Sequence, residues 1–145
     1  MLKAACNQWS AGCNNLFSFE FVDKQEGSDI EVRWTSDYKG WPIQADGHEQ
    51  GVADLSVQLP HGVDHASIYL LTLREGRPLS LRVMKAVALH ELGHAFGLGH
   101  SLKETDIMRK AVPMRPINQD GVEMMDTGFV ANGLEACNLS KRDLS

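Results

Sequence analysis

The segment "HELGHAFGLGH", His90–His100, constrains the chain most, because it asks for a helix that must also stop. Upstream, "LRVMKAVALHELGHAF" repeats apolar residues at helical spacing. Ser80 then reads as the N-cap, and Leu81, Met84, Ala88, Leu92 and Ala95 as one buried stripe. On such a helix His90 and His94 lie about 40° apart, with Val83 and Val87 beside them, so two imidazoles share an apolar face. An unpartnered buried polar group costs roughly 1–3 kcal/mol. One metal ion reached from positions i and i+4 satisfies both rings, and this is a zinc spacing. Gly97 sits where the helix has to end; a left-handed glycine there turns His100 back toward the same ion.

The chemistry follows from the ligand type. Three neutral histidines leave zinc its full charge and one position open, where the pKa of a water falls to about 7. Glu91 follows the first ligand directly, so it projects beside the metal and not at it. That is the place of a general base, which takes a proton from an attacking water and passes it to a leaving amine. A purely structural zinc is disfavoured, since such sites use four protein ligands, commonly cysteines, and Cys6, Cys13 and Cys137 are remote in sequence from the histidines. Three cysteines allow one disulfide, with its pairing open. For Gly93 and Gly99, close packing and plain tolerance are equally good explanations.

Upstream of Leu79 the period is two. "LFSFEFV", Leu16–Val22, and "DIEVRW", Asp29–Trp34, alternate apolar and polar residues and read as half-buried strands. "VADLSVQL" and "ASIYLLTL" read as two more strands separated by "PHGVDH", and "REGRP" closes the sheet section. Leu2–Ser10 resembles the end of an amphipathic helix, followed by the turn "SAGCNN". At 145 residues this is one domain, 1–145, with a sheet followed by helices, an α+β chain. A net charge of −5 argues against a nucleic-acid partner. The apolar runs are too short for a membrane span, and "MLKAACNQWS" is no secretory signal.

"HELGHAFGLGHS" resembles the zinc segment of the metzincin peptidases, and Ser101 points to their matrixin branch, the matrix metalloproteinase-like enzymes. Met108, eight residues after His100, matches the family's Met-turn, whose methionine supports the site without ligating. The resemblance implies a twisted mixed β-sheet, an active-site helix bearing His90, His94 and Glu91, and a C-terminal helix beginning near "LSKRDL", where Ser140 and Asp143 fit a cap. It also implies a secreted, monomeric zinc endopeptidase acting on an extended polypeptide. Its substrate would add to the sheet edge at Val52, Ala53, Asp54, Leu55 and Ser56, so that a proline at Asp54 or Ser56, whichever directs its N–H at the cleft, would raise KM without expelling zinc.

The chain also departs from the family. It starts about midway through the expected first helix, leaving the first strand missing, and the last helix is cut at Ser145. No propeptide cysteine motif precedes the domain, and Arg142 stands where a second aspartate is common. An alternative is therefore a zinc-binding but catalytically inactive module. His48, His61 and His65 lack the spacing of the family's structural zinc site and read as exposed loop residues. Calcium at Asp37, Asp46, Glu49 and Asp64 has only weak support. Between Arg109 and Asn138 the connection is long and apolar, and Val112, Met114, Met124, Met125 and Phe129 are expected to line or cover the specificity pocket.

Overall fold

The computed structural model describes residues 1–58, 60, 62–103 and 105–110. The expected C-terminal helix, the pocket residues Val112, Met114, Met124, Met125 and Phe129, and His61 and Cys137 lie outside these residues. Along the chain run α1 (Leu2–Gly12), β1 (Ile30–Thr35), β2 (Gly51–Gln58), β3 (Gly62–Leu71), the small hairpin β4 (Leu73–Arg74) and β5 (Arg77–Pro78), and α2 (Leu81–Ala95). No described helix is long and apolar enough to cross a membrane.

The three longer strands form one sheet in the order β1-β3-β2. β3 pairs parallel with β1, with Val32 opposite Ile68, and antiparallel with β2, with Ala53 opposite Ile68. This is the mixed sheet of an α+β fold. As the central strand, β3 carries the most apolar sequence and buries Ala66, Ile68, Leu70 and Leu71. β2 is left at the sheet edge, and α2 packs across β2 and β3 while α1 packs on α2. Trp9 ties the two helices together: its indole N–H donates to the Leu89 carbonyl at 2.9 Å, and its ring meets Phe96 edge-on at 5.4 Å.

Ser80 caps α2 as expected, its hydroxyl accepting the Val83 N–H at 3.2 Å. The buried face is broader than the stripe read from the sequence. Leu81 is 71% exposed and Met84 half-buried, while Val83, Ala86, Val87, Leu89 and every residue from His90 to Gly93 are buried. A helix lying between α1 and the sheet is covered on more than one side, so a single stripe underestimates its core.

Two sequence readings need correction. Leu16–Val22 forms no strand. Its alternation is real, since Phe17 and Phe19 turn inward and pack on Phe96 with ring centroids 5.1 and 5.8 Å away. Phe21, however, is 48% exposed, and no described strand runs alongside to complete a ladder. Alternation fixes which side faces the core, and a strand also needs a neighbour. His65 is likewise no loop residue: it lies in β3, half-buried, with Nδ1 3.1 Å from the Ser28 carbonyl. His48 is exposed as expected.

Candidate metal centre and active site

α2 ends where Gly97 said it must. Gly97 adopts φ 85°, its N–H bonds to the His94 carbonyl at 2.8 Å, and the Leu98 N–H bonds to the Gly93 carbonyl at 3.1 Å. This paired termination satisfies the last carbonyls of the helix and reverses the chain. His100 thereby returns to the helix. Its ring lies 5.3 Å from that of His90 and 4.8 Å from that of His94, centroid to centroid.

One nitrogen from each of His90, His94 and His100 lies within 4.8 Å of the others, a cluster able to hold one metal ion. The hydrogen bonds fix which nitrogen is offered. His90 Nδ1 is 2.7 Å from the Ile107 carbonyl and His94 Nδ1 is 2.8 Å from the Leu98 carbonyl. A carbonyl only accepts, so each Nδ1 carries the proton and each Nε2 of the neutral ring presents a lone pair. Those two Nε2 atoms face each other at 3.1 Å. Two lone pairs at that distance repel unless a cation lies between them and the third ring, so the donor set fits a zinc ion. Burial pushes the His90 pKa down to about 4, and burial also lowers that of His94, which favours the neutral form of both rings at pH 7.

Beyond His100 the chain closes into a tight turn. Ser101 N–H donates to the Met108 carbonyl at 2.7 Å, and the buried Asp106 carboxylate accepts the Met108 N–H at 2.8 Å. This turn presents the Ile107 carbonyl to His90. It also packs Met108, 2% exposed, on Gly93 between the two helical histidines.

Glu91 is 6% exposed and lines the same cavity of about 620 Å³ as the three histidines. Burial raises its pKa to about 8, opposed by a hydrogen bond from the Ala53 N–H. The ladder itself orients β2: the Leu71 N–H donates to the Gln50 carbonyl at 2.8 Å, so Gln50 faces β3. In an antiparallel ladder, N–H and C=O of alternate residues point to the same edge. Val52, Asp54 and Ser56 therefore direct their N–H groups into the β3 ladder, whereas Ala53 and Leu55 direct theirs away from it. Val52, Ala53 and Leu55 line the cavity, and Asp54 and Ser56 do not.

The carboxylates Asp37, Asp46, Glu49 and Asp64 form no metal-holding group among the described residues. Asp37 and Asp46 each accept a nearby backbone N–H at 2.9 Å, and Glu49 accepts that of Asp46 at 3.0 Å. These are loop-shaping contacts. Cys13 is disulfide-bonded, whereas Cys6 is a buried free thiol.

Sequence reasoning passed over Asp106 and Gly51. An aspartate two residues before a turn methionine is a recognised turn signal, and a lone glycine in a strand marks a close approach of another group. No individual curated protein matches the chain. The family model described as matrixin matches residues 1–129, and with the zinc-type histidine cluster and mixed sheet already in place, the chain belongs to the matrixin family.

Proposed function

We propose that the protein is a zinc-dependent endopeptidase in which His90, His94 and His100 hold the metal, Glu91 is the general base and Met108 supports the site. The observation that carries this reading is the pair of opposed Nε2 lone pairs in one cavity with the Glu91 carboxyl. Zinc, when bound there, supplies Lewis-acid polarisation of a peptide carbonyl and acidification of water. Glu91 takes the proton from the attacking water and returns it to the leaving amine. Burial, which raises the pKa of this carboxyl, makes it a stronger base than an exposed glutamate. The Ala53 N–H keeps its arm in the cavity meanwhile. An extended polypeptide lies along the edge of β2, Val52–Ser56, which no other described strand covers, pairing with the outward groups of Leu55 and the carbonyl of Ala53.

Matrixins are generally extracellular, and the disulfide at Cys13 agrees with a secreted protein acting in an oxidising compartment. We propose a monomer in which residues 1–145 act as one domain. The test is turnover of an unfolded protein substrate by zinc-loaded enzyme. Chelation should abolish hydrolysis and zinc should restore it. Glu91→Gln should keep one zinc per chain and lose hydrolysis by several orders of magnitude. A parent protein that binds zinc and turns over nothing would establish the inactive zinc-binding module instead.

A further inference from the structure

β2 begins with a glycine that its backbone does not require. Gly51 is absent from the positive-φ positions and pairs regularly with Leu70. Space explains it. A β-carbon on Gly51 would lie 2.6 Å from Val87 Cγ1, 2.8 Å from Glu91 Cγ and 2.9 Å from Glu91 Oε1. Two residues further on, the Ala53 N–H points away from β3 and favours the charged form of the same carboxyl. Val87 and Glu91 are both buried side chains of α2 that border the histidine-lined cavity, so a methyl group here can be accommodated only by moving them toward it.

We propose that Gly51 is a positioning residue for Glu91: its bare Cα opens the notch in β2 that admits the carboxyl arm, letting it reach the Ala53 N–H while staying in the histidine-lined cavity. Only the kinetic consequence rests on the peptidase reading; the placement of the carboxyl does not. A methyl group at position 51 displaces the Glu91 arm and leaves the imidazoles alone, because its nearest atoms belong to Val87 and Glu91 while His90 and His94 are held by the Ile107 and Leu98 carbonyls. A misplacement of about 1 Å in a reacting group costs on the order of 10²-fold in rate.

The Ala53 amide reports on the arm directly by NMR of the ¹⁵N-labelled full chain, with and without zinc. Gly51→Ala should move this resonance toward its position in Glu91→Ala while zinc stoichiometry stays at the parent value. On an unfolded-protein substrate kcat should fall about 10²-fold with little change in KM, and Gly51→Ala should add nothing to Glu91→Gln. An unmoved Ala53 amide overturns the proposal. Gly51→Ala/Val87→Ala removes the closest clash and guards against a single variant that fails to fold. Its Ala53 amide should remain displaced and its kcat low; recovery of both would mean that the methyl acts through Val87 and would overturn the assignment. A parent that hydrolyses no peptide removes the peptidase reading and leaves the amide comparison to decide where the carboxyl lies.

Discussion

The sulfur of Met108 occupies the space that a side chain on Gly93 would fill: a β-carbon there would lie 2.2 Å from Met108 Sδ and 3.1 Å from Trp9 Cζ2. Gly93 is thus the point at which the turn carrying Met108 and α1 both close on α2, one residue before His94. Gly93→Ala should overpack this junction and destabilise the fold by about 1–3 kcal/mol, whereas Met108→Leu, which conserves volume, should cost less than about 1.5 kcal/mol. Urea unfolding of the two variants checks this. Equal stability of Gly93→Ala and parent would show that the turn is not seated on the helix.

Asp106 orders the turn that supports His90. Asp106→Ala removes the acceptor of the Met108 N–H and frees the Ile107 carbonyl that fixes the His90 ring. Partners of this kind typically contribute 10–100-fold in metal affinity, so zinc should bind that much more weakly by competition with a chelator. Asp106→Asn keeps an acceptor oxygen and should lose less. Unchanged affinity in Asp106→Ala would separate the turn from the metal centre.

Substrate binding along β2 has a directional test. Leu55→Pro removes an N–H aimed away from β3, a position where an edge strand tolerates proline, and should raise KM about tenfold with zinc retained. Asp54→Pro should instead cut the ladder to β3 and lower the melting temperature. If the two variants exchange these phenotypes, the edge assignment is inverted.

How far the sequence could be read is clearest by comparing Gly97 with Phe17 and Gly51. The stop at Gly97, the cap at Ser80 and the return of His100 are local events, set by residues within a turn of one another, and all were legible. Strand pairing is not local. The alternation of Phe17 and Phe19 showed which way they face, and whether a strand would lie beside them depended on distant segments. Gly51 and Glu91 meet only because the sheet edge crosses the helix, and a β-carbon that would collide across that crossing leaves no periodic trace. His65 failed for the same reason, its strand reaching further toward Gly62 than the "PHGVDH" turn residues suggested.

Cys6 gives a prediction with a pH sign. Burial raises its thiol pKa to about 11, from an ordinary value of 9.0. At pH 8 the folded protein should therefore present roughly a hundredfold less thiolate than the unfolded chain, following the two-unit difference. Native alkylation should be slower by at least that factor, and denaturant should remove the protection. Because the folded value is the higher one, the thiol's contribution to stability is complete below pH 9 and disappears as pH rises toward 11. Fast native alkylation at pH 8 would contradict the burial of Cys6.

The route by which His90 reaches Ile107 has a consequence for assembly. Both helical imidazoles are oriented by carbonyls that follow shortly in the chain, at separations of 17 and 4 positions, so the metal-holding unit closes over a short loop. The Glu91 carboxyl is held by β2, which arrives from a far earlier part of the chain. The histidine cluster needs fewer distant contacts than the sheet, so a zinc ion bound there would act as an early crosslink during folding. Lesions in β2 would then yield a protein that is loaded and folded around its metal yet mute toward substrate, giving such chains a route to become inert zinc carriers by a single change far from any histidine.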